Sequence, residues 1–158
     1  CSAPWARPEQ LECWERELIE LGWTPVGRFA IDGLPGVRLS ALILSRQGAV
    51  ATICEHPGTQ PWVEMMAECR DGRILSCSNQ VTAPTLSSPP WKTTVVRPEA
   101  DIALLDAELR RHLPSDRLTI RAQDFTTMYE AGYARETAWR KSLANDRRCG
   151  RRRARVRG

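Results

Sequence analysis

Cys54 and His56 are the closest approach in this sequence to a nucleophile with its base. A thiolate nucleophile needs a base within about 3 Å and a third group to orient that base. Cys54-Glu55-His56 closes an apolar strand-like segment, and residues i and i+2 on a strand share a face about 7 Å apart. Direct proton transfer does not cover that distance, and Glu55 points to the other face. A histidine beside Pro57 at a strand end suits a turn. An enzyme using Cys54 and His56 therefore stands as the alternative reading, and the first expectation is a non-catalytic chain. Metal chemistry has less support. There are two histidines, His56 and His112, and six cysteines at 1, 13, 54, 69, 77 and 149, without any C-x-x-C pair or other close zinc spacing. No glycine-rich phosphate loop, G-x-S-x-G elbow or H-E-x-x-H occurs. Neither a metal nor a cofactor is expected.

Six tryptophans offer a different chemistry, that of binding. Trp14 and Trp139 fall on apolar helical faces and read as core. Trp5, Trp62 and Trp91 fall at strand or loop boundaries, where a large amphipathic ring can line a groove. Trp62, Trp91 and His56 together form the candidate ligand-binding set, on the sheet face that helices leave uncovered. Glu64 and Glu68 share one strand face and read as solvated.

The elements that must position these residues begin with the hairpin after Trp62. Trp62-Val63-Glu64-Met65-Met66-Ala67-Glu68-Cys69 alternates with period two, the pattern of a half-buried strand. Arg70-Asp71-Gly72 reads as a three-residue loop with Gly72 in the left-handed position. That loop sets Ala67 opposite Leu75 and Met65 opposite Cys77. A two-residue loop would instead set Arg70 against Arg73, and like charges there are unfavourable. Cys69 and Cys77 then lie too far apart to bridge, since a disulfide needs Cα atoms within about 7 Å.

Upstream, Pro8 to Leu21 is an amphipathic helix with Leu11, Trp14, Leu18 and Leu21 on one stripe. Strands are expected over Trp23 to Ile31, Val37 to Ser45 and Ala49 to Glu55, the second apolar on both faces and so central. Asp32-Gly33-Leu34-Pro35-Gly36 reads as a turn. Val81 to Pro98 is a proline-rich loop in which Trp91 and Val95-Val96 can still clip onto the sheet. Further helices are expected over Glu99 to Leu113 and Gln123 to about Asn145. The latter should bury Phe125, Met128, Tyr129, Gly132, Trp139 and Leu143, with Glu136 and Arg140 paired outside. The fold class is α+β: a single antiparallel meander of about five strands, with N- and C-terminal helices packed on one face.

Leu21-Gly22-Trp23 with Val26-Gly27, then Glu55-His56-Pro57, Trp62-Val63, Asp71-Gly72 and Pro89-Pro90-Trp91, resemble a set of uncharacterised bacterial proteins. Those share an L-G-F/W opening, a strand closing on E-H-P and a D-G hairpin. The resemblance covers residues 11 to about 140 and implies a bacterial source, without implying any activity.

Length and charge bound the rest. At 158 residues the chain is expected to form one domain over residues 1–146. Of the formal charge of +4, seven arginines in residues 147–158 account for all the excess, and 4 − 7 = −3 remains for the rest. The tail is expected to be solvated and disordered, although it could bind nucleic acid or an anionic membrane surface. No apolar run approaches the ~18 residues of a transmembrane helix. Apolar-face cysteines read as reduced core residues, which favours a reducing compartment or simple indifference to redox state. A cytoplasmic location is expected, while Cys1 allows the alternative of a lipid-anchored chain. The expected function is a small bacterial ligand- or protein-binding module, with the Cys54–His56 enzyme and the tail-mediated anionic-polymer binder as alternatives.

Overall fold

Three helices and six strands make up the computed structural model, which describes residues 5–34, 37–55, 59–81, 88–113, 115–118 and 124–155. His56 and Cys1 lie outside the described residues. The chain divides into two compact units, Cys1–Ala122 and Gln123–Gly158.

The first unit opens with α1 (Pro8–Glu20), which has Pro8 in its first turn and Glu9 near the positive end of the helix dipole. Leu11 and Leu18 are its buried residues. Five strands follow in a meander: β1 (Thr24–Leu34), β2 (Val37–Arg46), β3 (Ala49–Glu55), β4 (Trp62–Glu68) and β5 (Ile74–Ser78). Each is antiparallel to the next. The β1–β2 pairing runs out to Leu34 and Val37, so the expected five-residue turn is mostly strand. Its register shifts between Pro25 and Gly27. A Cβ at Gly27 would lie 3.2 Å from the Phe29 ring, so a larger residue there needs the ring to give way by a few tenths of an ångström.

The β4–β5 hairpin has the bulged register: Ala67 pairs with Leu75, and Met65 with Cys77. Gly72 has φ of +80°, and its N–H donates to the Cys69 carbonyl at 3.0 Å. Cys13, Cys54, Cys69 and Cys77 are free thiols.

The sheet departs from a pure meander at its edge. A sixth strand, β6 (Lys92–Val96), lies beside β5 and runs parallel to it. The expected all-antiparallel five-stranded sheet is thus corrected to a six-stranded mixed one. The physical reason is the connection: a parallel neighbour needs a long crossover, and the proline-rich stretch after Asn79 supplies it. Val95 and Val96 do clip onto the sheet, in a direction that local pattern cannot reveal.

α2 (Ile102–His112) starts at Asp101, whose side chain accepts a hydrogen bond from the Leu104 N–H at 2.8 Å. Ile102, Leu105 and Leu109 join Leu11 and Leu18 of α1 in one core cluster. There they meet Leu42, Leu44, Ala51, Ile53, Val63, Met65, Ala67 and Cys77 on one face of the sheet. β3 is buried along its whole length, whereas β4 alternates half-buried and buried residues, as its period-two pattern demands.

The second unit is dominated by α3 (Phe125–Arg155), longer than the expected helix and taking in most of the arginine-rich segment. Met128, Tyr129, Gly132, Trp139 and Leu143 are half-buried, not buried as expected, and Phe125's side chain lies outside the description. Glu136 and Arg140 form the expected i, i+4 ion pair.

Candidate functional site

Pairing across β3 and β4 sets Cys54 directly opposite Trp62 and Thr52 opposite Glu64. Directly paired residues share a face, so Cys54, Thr52, Trp62 and Glu64 lie on the sheet face opposite Ile53, Val63 and Met65. On β4 this row continues through Met66 and Glu68, all half-buried. Trp91, half-buried, precedes Lys92, which is level with Ile74 and therefore with Glu68. Trp62 and Trp91 consequently belong to opposite ends of β4, and the register does not bring them together. Where His56 stands relative to either is outside the described residues.

The second face carries a polar network that the tryptophans did not announce. Ser76, fully buried, donates its hydroxyl to Glu64 Oε1 at 2.6 Å, and Lys92 Nζ lies 2.9 Å from the same oxygen. Both charged side chains are largely shielded, at 23% exposure for Glu64 and 18% for Lys92. Burial pushes the Glu64 carboxyl up, but the Lys92 ammonium and the Ser76 hydroxyl outweigh it and hold the group below the usual carboxylate value. Beside Glu64, the Thr52 hydroxyl is buried without a hydrogen-bond partner among the described residues.

Cys54 is buried, at 4% exposure. Burial, and then the Glu64 carboxylate, push its thiol well above the ordinary cysteine value. Both effects oppose formation of a thiolate. Thus the chemistry of the row is that of a satisfied ion pair beside a neutral thiol and an indole.

A second polar cluster is structural. Asp106, at 2% exposure, accepts from Trp23 Nε1 at 2.9 Å and from the Arg46 guanidinium at 3.4 Å, and pairs with Arg110 on its own helix. These bonds tie α2 to β2 and to the start of β1. Asp106 sits at helical spacing from Ile102 and Leu109, and an acid on an apolar stripe was the one sequence signal that it had a partner. The Glu55 carboxylate accepts from the backbone N–H groups of Ala6 (2.7 Å) and Arg7 (3.1 Å), just ahead of α1.

One set of side chains among the described residues has ligand atoms close enough to share a metal: Cys69, Asp71 and Asp116, all within 4.8 Å of one another. Asp116 arrives through backbone bonds: the Arg70 N–H donates to its carbonyl at 3.1 Å, and the Leu118 N–H to that of Glu68 at 2.7 Å. Arg73 already pairs with both acids, with Nε 2.6 Å from Asp71 Oδ2 and Nη2 3.9 Å from Asp116 Oδ2. A guanidinium in that position does what a cation would do, and we assign no metal. No described helix is long and apolar enough to cross a membrane. Comparison with protein-family models, with curated proteins and with solved structures gives no match to this chain.

Proposed function

We propose that the chain is a non-catalytic binding module whose contact surface is the β4 row of Trp62, Glu64 and Met66. The observation that carries this reading is the inequality between the two faces of β4. Val63, Met65 and Ala67 are fully buried in the helix-packed core, while Trp62, Glu64, Met66 and Glu68 keep partial exposure. An indole, a thioether and a shielded ion pair side by side offer an apolar area with a polar handle, the composition that binding surfaces favour. The alternative, catalysis through Cys54, has both local electrostatic effects against it: desolvation and a neighbouring carboxylate disfavour the thiolate.

Iodoacetamide labelling at pH 6, read by mass spectrometry peptide by peptide, tests this. Cys54 should alkylate more slowly than the exposed Cys13, because only opening of the sheet presents it. Faster alkylation of Cys54 than of Cys13 would overturn the reading in favour of the Cys54–His56 enzyme. Cys54→Ala should fold and keep any binding activity. For the surface itself, Trp62→Ala should leave the fold intact and abolish partner binding, and unaltered binding would move the site elsewhere.

A further inference from the structure

The two units differ sharply in charge. Residues 1–122 hold 13 lysines and arginines against 15 acids, giving −2, whereas residues 123–158 hold 10 against 4, giving +6. The excess is concentrated at the end of α3, whose bounds take in arginines 147, 148, 151, 152, 153 and 155 with no acid after Asp146. We propose that this end of α3 binds the phosphodiester backbone of duplex nucleic acid without reading its bases. The inference does not depend on the β4 surface.

Three observations select that partner from other polyanions. Every cation beyond Asp146 is an arginine, and the planar guanidinium forms paired hydrogen bonds with phosphate that lysine cannot. From Ala144 to Arg155 there is neither an aromatic nor a large aliphatic residue. A helix lying in a bilayer surface needs an apolar face of such residues, and single-strand binding relies on aromatic rings for base stacking. This segment has charge alone. Its density also matches. At a rise of ~1.5 Å per residue, Arg147 to Arg155 spans about 12 Å. A duplex carries roughly one negative charge per 1.7 Å of axis, or about seven over that length. The same length of helix holds six arginines. Identical cations in succession contact backbone equally well in any register, so affinity without sequence preference follows.

Fluorescence anisotropy of the full chain with a fluorescein-labelled random-sequence duplex, over a potassium chloride series, tests the proposal. Each phosphate contact contributes about −0.9 to the slope of log K against log salt, so a slope of about −5 is expected. A variant carrying Arg147→Gln, Arg148→Gln, Arg151→Gln, Arg152→Gln and Arg153→Gln keeps good helix formers at each site. It should flatten the slope by about 4 and weaken low-salt binding by 100-fold or more, with an unchanged circular dichroism spectrum. A second duplex of different sequence should bind within about threefold. The proposal fails if the variant binds the duplex with the parent's slope. It fails equally if the matching single strand binds more tightly, or if phosphatidylserine vesicles retain the chain while the duplex does not.

Discussion

The Lys92 ammonium lies 2.9 Å from Glu64 Oε1 although β5 separates their strands. Lys92 belongs to the one parallel strand, so this ion pair stitches the edge of the sheet to its antiparallel body. Each partner is shielded enough that removal of the other leaves a poorly solvated charge. Lys92→Met should destabilise the protein by about 1–2 kcal/mol in urea unfolding, less than a fully buried pair because water still reaches both groups. Lys92→Met with Glu64→Gln should recover part of that loss. The folded-state carboxyl of Glu64 is held below its ordinary value of 4.5. Its contribution is therefore present above that pH and lost as pH falls through the folded value. Lys92→Met should shrink that acid-side loss.

The Thr52 hydroxyl next to Glu64 is buried without a partner among the described residues. Valine has the same shape without the polar atom. Thr52→Val should stabilise the fold by about 1 kcal/mol, measured as a higher urea midpoint at unchanged m-value. A loss of similar size would mean that the hydroxyl is hydrogen-bonded in solution.

Asp106 is expected to be the most sensitive polar residue. Asp106→Ala leaves the Trp23 Nε1–H and the Arg46 guanidinium without their shared acceptor, which should cost about 3 kcal/mol. Trp23→Phe removes one donor and should cost less. A double-mutant cycle between Trp23→Phe and Asp106→Ala should give a coupling above about 0.5 kcal/mol, and additive effects would argue against the contact.

Alkaline stability should follow the buried thiols. Cys77 is pushed from 9.0 up to about 11, first by burial and then by the Glu108 carboxylate, against the Arg97 guanidinium. Burial, and then the Glu64 carboxylate, raise the Cys54 thiol as well. Thiols raised in the folded state ionise first in the unfolded chain, so stability is full below pH 9.0 and declines as pH rises toward the folded values. The melting temperature of Cys77→Ala should depend less on pH between 9 and 11 than that of the parent. A parallel decline in both would exclude Cys77 as the source.

Local chemistry was enough, in the sequence alone, to determine the five-strand meander, the helix from Pro8 and the bulged hairpin at Gly72. Period-two alternation and turn residues act over a few positions, and a one-residue slip would turn Val63, Met65 and Ala67 out of the core. The apolar residues on both faces of the second strand likewise made the burial of Ala41, Leu42, Ile43 and Leu44 legible. Only the tertiary structure decided the direction of β6, because a parallel neighbour is chosen by where a long crossover returns the chain and not by the residues of the strand. With β6 came Lys92, and with Lys92 the partner of Glu64, so the sequence could place that glutamate on a face but not assign it an ion pair. Trp62 and Trp91 look alike as boundary residues, yet the register sends them to opposite ends of β4. Trp23 and Asp106 meet because α2 packs beside α1, whose C-terminal end leads into Trp23. Contacts between segments so distant in sequence leave no mark in local pattern, since their cost is loop entropy and their gain is burial shared by residues that never neighbour one another along the chain.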